Sequence, residues 1–263
     1  MLASLLASLL VSAALPPGTC TLIADSTGKI VLERGTACTP RTTPASSFKI
    51  PLALMGADAG WIQGTHAPLL AYRDSFPAAI PSHRQATDPT RWESESVVWY
   101  SQELTRALGL AKFRTYVERF GYGNRDVSGN PGKADGLTRS WLSSSLAITP
   151  AEQIAFLAKV RQRKLGVSER SYAILDSIAP CFAGPTGWTV AGKTGSANVD
   201  SASGAAPVGW FVGWLERDGK RPYLFARREI GQVPPGSFGG SSARKSLLDS
   251  LGIWLAALER PSP

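Results

Sequence analysis

The sequence predicts an α/β protein of the α+β type: an antiparallel sheet flanked by terminal helices and interrupted by an all-helical insertion. Three observations predict it. Strand-like runs gather at the two ends of the chain, at 20–25 and 30–33 and again at 188–191, 208–215 and 222–227. Apolar residues between those ends recur at helical spacing. Short turn signals join neighbouring strands, the connection that antiparallel pairs use.

Residues 1–15 form an uncharged apolar run, shorter than the ~20 residues that span a bilayer. With small residues at Val11-Ser12-Ala13 and Ser12-Ala13-Ala14, it reads as a secretory signal lacking its usual positive start. Residues 16–263 are then expected to form one domain, with a sheet lobe at about 16–57 and 180–263 and a helical lobe at about 58–179. A cleft between two such lobes is the natural place for a site.

The first two strands flank Ser26-Thr27-Gly28-Lys29, a hairpin turn in which Gly28 supplies positive φ. Cys20 and Cys38 bracket that hairpin and either pair across it or stay as small buried hydrophobes, and Cys181 is left over. An apolar helix-like segment follows at 48–55. Residues 58–93 are rich in Pro, Gly, His and Trp without a period, so they read as loop with short helical pieces, and His66 and His83 as surface loop residues. From Glu95 onward Val98, Leu104, Leu108, Phe113, Tyr116, Val117 and Phe120 fall near helical spacing, interrupted at Gly109. A turn-rich loop at 121–136 comes next. Thr149-Pro150-Ala151-Glu152 has the capping-box pattern with Pro at N1, which predicts a helix to about Lys164. A shorter helix is expected after Ser168. Asp218-Gly219 joins the last two strands as a hairpin, and an amphipathic helix at 241–259 closes the chain.

Lys and Arg number 28 against 20 Asp and Glu, a formal net charge of +8. The basic runs Arg161-Gln162-Arg163-Lys164 and Arg227-Arg228 are short and carry no interleaved aromatics. That pattern argues against a nucleic-acid partner and for a basic surface that favours anionic small molecules.

S-x-x-K occurs three times, at Ser26, Ser46 and Ser242, and context separates them. Only Ser46 leads into an apolar helix, where positions i and i+3 share a face and bring Lys49 within reach of the hydroxyl. A serine is a weak nucleophile unless a base takes its proton. Neither histidine lies in a triad setting, which leaves Lys49, and a lysine serves as a base only if burial lowers its pKa. Far downstream, Lys193-Thr194-Gly195 stands at the end of a β-branched run. Gly187 to Thr194 also fits the phosphate-binding pattern G-x-x-x-x-G-K-T, yet its interior is strand-like and the residues after it do not read as a helix.

Taken in chain order, Pro44-Ala45-Ser46-Ser47-Phe48-Lys49-Ile50, Ser96-Val97-Val98, Tyr122-Gly123-Asn124, Trp141 and Lys193-Thr194-Gly195 resemble the class D serine β-lactamases, the oxacillinases, over about 20–258. Ser96-Val97-Val98 in place of S-D-N points away from class A. The resemblance implies a serine β-lactamase or penicillin-binding transpeptidase-like fold and small β-lactam substrates. It implies Ser46 as nucleophile and Lys49 as general base after N-carboxylation by carbon dioxide, with no metal and no other cofactor. It implies Val98 as an apolar wall, Trp141 as an indole donor to the carboxylated lysine, and Ser96 as a proton relay. Lys193 would add positive charge, Thr194 and Arg244 would hold the substrate carboxylate, and the backbone N–H groups of Ser46 and Ser196, beside Gly195, would form the oxyanion hole. Tyr122 and Asn124 would support the surrounding loop. A periplasmic or secreted location is expected. The rival readings are a slowly deacylating penicillin-binding or sensor domain and, remotely, a P-loop nucleotide-binding protein.

Overall fold

A computed structural model describes residues 17–201 and 204–259. The signal-peptide reading of residues 1–15 lies outside the described residues. Strands β1 (Gly18–Ala24) and β2 (Ile30–Gly35) form the expected hairpin. Asp25 closes its turn by accepting from the backbone N–H of Thr27 and Lys29, and Gly28 takes φ 92°. A 3-10 turn, Ala45–Phe48, runs into α1 (Lys49–Asp58). The middle of the chain is helical: α2 (Pro89–Glu95), α3 (Val98–Leu108), α4 (Leu110–Phe120), the short α5 (Gly136–Arg139), α6 (Pro150–Arg161) and α7 (Glu169–Ile178). Strands β3 (Cys181–Ala183), β4 (Thr189–Ser201), β5 (Gly204–Glu216) and β6 (Tyr223–Ile230) precede the closing helix α8 (Gly239–Leu258).

Among the described residues the strands make one six-stranded sheet in the order β2-β1-β6-β5-β4-β3, with every neighbouring pair antiparallel. Alternation of side chains gives the sheet two apolar faces. Ile23, Val190, Phe211, Leu215 and Phe225 face α8, which meets them with Ala243, Leu247, Leu251 and Leu255 at i, i+4 spacing. Leu22, Trp210, Val212, Trp214, Leu224 and Ala226 face the other way, into a larger core shared with α1 and α6. Each such side chain contributes about 1.5–3 kcal/mol on burial. The sheet is therefore the middle layer, and α1 is buried behind it.

The capping box forms as expected: Thr149 Oγ1 accepts from Glu152 N, and Glu152 Oε2 accepts from Thr149 N at 2.9 Å. Cys20 and Cys38 are joined by a disulfide. No helix among the described residues is long and apolar enough to cross a membrane.

Four sequence expectations need correction. Helix begins before Glu95, at Pro89, because the Asp88 side chain caps α2 by accepting from Arg91 N at 2.8 Å. The helical run then breaks at Ser96, whose φ of 63° is left-handed, and restarts at Val98. Strand β4 does not stop at the lysine triplet; it continues to Ser201, paired with β5, through Ser and Ala residues whose weak strand propensity hid it. His83 is buried rather than on the surface, with Nε2 2.9 Å from the Glu95 carbonyl. Strand β3 and helix α5 were not expected, being too short to show a period.

Candidate active site

Residues 42–48 are clamped from several sides. Thr43 Oγ1 donates to the Trp141 carbonyl at 2.8 Å, and Trp210 Nε1 donates to the Thr43 carbonyl at 2.9 Å. Ser47 Oγ donates to Pro44 O and accepts from Gln153 Nε2. Phe48 is enclosed by aromatic rings, with Trp141 stacked at 5.7 Å and Tyr122 edge-on at 5.0 Å. So held, the chain tolerates Ala45 at φ 49°, a left-handed conformation that costs an L-residue about 1–2 kcal/mol. Strain over-determined by its surroundings in this way marks a place where a side chain must be aimed. The residue aimed is Ser46, half-buried and open to a pocket.

Lys49 opens α1, one turn further on. It is fully buried, its Nζ lies 3.4 Å from Ser46 Oγ, and it sits 5.9 Å from the centre of the Trp92 ring. Burial, aided by the charge of Lys193 and opposed by that of Glu93, brings its pKa down to about 7. An amine in that range offers a lone pair near neutrality, which an ordinary lysine does not.

The middle of β4 delivers the second lysine. Lys193 is 2 % exposed, and its Nζ donates to Ser96 Oγ at 3.0 Å and to the Thr194 carbonyl at 3.1 Å. Burial lowers its pKa to about 8, the charge of Glu93 opposing and that of Arg244 assisting. The left-handed backbone at Ser96 turns this hydroxyl out of the helix and toward β4. A β-carbon on Gly195 would stand 2.7 Å from Pro44 O and 3.0 Å from Ser47 N, so only glycine lets β4 run against the serine turn. Ser196 is exposed, and its Oγ accepts from Gly240 N at 2.9 Å, which fixes the start of α8. Arg244, on the second turn of α8, lies over the Phe182 ring at 4.7 Å and has no acidic partner among the described residues.

Ser46, Ser96, Thr194, Gly195, Ser196 and Arg244 line one pocket, with Ala79, Ile80 and Phe238 on its apolar side. The remaining sequence-predicted residues do not line it. Val98 opens α3 and is half-buried; Trp141 is fully buried, and its indole N–H has no acceptor. Tyr122 is buried behind Phe48, and Asn124 ties its loop to 145–147, donating to Ser145 O and accepting from Ala147 N. Sequence reasoning missed Glu93, a buried carboxyl on which the charges of both lysines act. Its polar setting, Ser94 and Glu95 on one side and Arg91 close by, reads as solvated surface. The phosphate-loop match fails on structure, because Lys193 and Thr194 lie within a strand and no helix N-terminus follows them. Among the described residues no cluster of His, Cys, Asp or Glu suits a metal ion.

Such a pocket combines a hydroxyl beside a deprotonatable amine, a second cation on its far hydroxyl, and a free guanidinium. It suits acyl transfer to serine from a small anionic substrate.

Comparison with known proteins agrees. A family profile described as the penicillin binding protein transpeptidase domain matches residues 18–250. Beta-lactamase OXA-9 of Klebsiella pneumoniae is 45% identical over 243 residues, covering 89% of this chain and 87% of its own. Beta-lactamase OXA-1 of Escherichia coli is 32% identical over 230 residues, 87% of this chain and 81% of its own. The crystal structure of the OXA-427 class D β-lactamase aligns with a TM-score of 0.85 at 42% identity, covering 91% of this chain and 99% of that one.

Proposed function

Because the chain belongs to the class D β-lactamases, serine hydrolases of the penicillin-binding transpeptidase-like fold, we propose that it opens β-lactams through an acyl-enzyme on Ser46, with Lys49 furnishing the general base. The observation that carries this reading is the fully buried Lys49 amine 3.4 Å from the Ser46 hydroxyl.

In this reading the Ser46 oxygen bonds to the lactam carbonyl carbon as its proton leaves toward Lys49. The backbone N–H groups of Ser46 and Ser196 hold the developing oxyanion. The lactam C–N bond then breaks, and its nitrogen takes through Ser96 the proton that Lys49 received from Ser46, while Lys193 remains a cation donating to the Ser96 hydroxyl. Thr194 and Arg244 hold the substrate carboxylate, for which a planar guanidinium without an acidic partner is suited. Water, activated from the Lys49 side, finally cleaves the ester and frees Ser46.

Class D β-lactamases need no metal or organic cofactor. Carbon dioxide added to the Lys49 amine would supply a carboxylate base at this position. Two features fit that group: a lysine whose pKa is near neutral, and the fully buried Trp141 indole N–H that lacks an acceptor. Val98 would wall the pocket, while Tyr122 and Asn124 support the turn. The sheet lobe and helical lobe would act as one catalytic domain, with no nucleic-acid partner. A disulfide at Cys20–Cys38 suits an oxidising compartment, in keeping with export to the periplasm or beyond.

The test is turnover of benzylpenicillin and of a chromogenic cephalosporin by the purified protein and by Ser46→Ala. The variant should lose roughly 10⁴- to 10⁶-fold in kcat. A stable covalent adduct without turnover in the parent protein would favour a sensor instead.

A further inference from the structure

Glu93 lies on the last turn of α2, 1 % exposed, and neither carboxylate oxygen has a hydrogen-bond partner. Its neighbour Trp92 is pinned by donation from Nε1 to Ser101 Oγ at 2.8 Å and carries the ring that faces Lys49 Nζ. The charges that act on Glu93 are those of Lys193 on β4 and Lys49 on α1. Helices α3 and α7 also pack on α2 but present no ionisable group that acts on it. On its own helix, Arg91 and Glu95 pair with each other at 2.9 Å. No cation among the described residues approaches Glu93 to ion-pair distance. A carboxyl so placed is costly to ionise and adds nothing to packing that an apolar side chain would not.

We propose that Glu93 is a positioning residue that controls carboxylation of Lys49, admitting carbon dioxide when protonated and holding Lys49 as an ammonium when ionised. This rests on the carboxylated-lysine reading above. The balance starts from the pair Lys49–NH₃⁺ and Glu93–COO⁻. One proton leaves the amine to solvent while one from solvent binds Glu93, and the freed lone pair forms the N–C bond to carbon dioxide as one C=O electron pair moves onto oxygen. The second nitrogen proton leaves to solvent, giving Lys49–NH–COO⁻ beside Glu93–COOH. Two anions in one buried pocket with Lys193 as the neighbouring cation would repel, so the product requires Glu93 to keep its proton. Burial pushes that carboxyl up to about 7, against the pull of both lysines, which places the control near neutrality.

The test titrates the full-length protein with carbon-13 bicarbonate at fixed neutral pH and reads the carbamate resonance by NMR. Glu93→Gln and Glu93→Met both remove the charge, and each should lower the half-saturating bicarbonate by about tenfold, the effect of one pKa unit. Glu93→Asp keeps the charge and should remain near the parent value. Parent-like titrations in both uncharged variants overturn the proposal while leaving lysine carboxylation standing. No carbamate resonance in the parent at saturating bicarbonate overturns the carboxylation reading, and this proposal with it. The Met variant covers the case in which Gln does not fold.

Discussion

Lys193 donates its Nζ proton to Ser96 Oγ at 3.0 Å, joining residues 97 positions apart, while Lys49 Nζ meets Ser46 Oγ at 3.4 Å. The Ser46 and Ser96 hydroxyls thus each have their own amine. Burial lowers the pKa of both amines, and the charge of Lys193 lowers that of Lys49 further. In the proposed mechanism Lys49, beside the serine turn, is the base and Lys193, on β4, is the cation.

Turnover is expected to rise with pH through about 7 as Lys49 loses its proton. A profile of kcat/KM against pH at saturating bicarbonate checks this, and a flat profile from mildly acid to neutral pH counts against it. Stability carries the same sign. Unfolded, Lys49 holds a proton up to the ordinary lysine value of 10.5; folded, it does so only below about 7. Between those values the unfolded chain holds more protons, so stability rises with pH across that window and is penalised at neutrality. Lys49→Met should therefore abolish turnover yet raise the urea midpoint at neutral pH, because it removes the desolvation penalty on the buried amine. An unchanged or lower urea midpoint would refute the claim.

Trp141→Phe keeps a ring against Phe48, now stacked at 5.7 Å, and deletes the orphaned indole N–H together with part of the indole volume. If that N–H holds the base, deacylation should slow by roughly 10–100-fold, as when a residue orienting a bound group is removed. Acyl-enzyme should then accumulate in mass spectra of penicillin-treated protein. Equal steady-state rates in the two proteins would leave Trp141 as core packing only.

Much of this geometry was legible in the sequence because it rests on local rules. The hairpin turn at Gly28, the capping box at Thr149 and the i, i+3 pairing of Ser46 with Lys49 each follow from a few adjacent residues. What was not legible depends on contacts across the chain. The β4 extension to Ser201 is imposed by pairing with β5, and the burial of His83 and Glu93 comes from the packing of the helical segment rather than from their polar neighbours. The disulfide was one of two readings until the hairpin brought Cys20 and Cys38 to a Cα separation of 5.0 Å.

Replacing both Cys20 and Cys38 by serine reopens a loop with a sequence separation of 18, and loop entropy predicts a loss of about 3 kcal/mol. The pair ties β1 to the segment after β2, and neither cysteine lines the pocket. Thermal unfolding should therefore shift while kcat at low temperature holds. A large loss of kcat in the folded variant would show that the hairpin also positions the serine turn.

Gly195→Ala tests the approach of β4 to the nucleophile. Its new β-carbon would meet Pro44 O at 2.7 Å and Ser47 N at 3.0 Å, both backbone atoms that cannot swing aside. The strand or the serine turn must shift, and displacement of a reacting group by about 1 Å costs roughly 100-fold in rate. Gly219→Ala supplies the contrast. That glycine has φ 68° in the β5–β6 hairpin and nothing near its missing β-carbon, so alanine there should cost stability, about 1 kcal/mol, without touching kcat. Opposite signatures in the two variants, activity lost in one and melting temperature in the other, locate the effect at the β4 contact. If Gly195→Ala turns over substrate at the parent rate, that close approach has no part in catalysis.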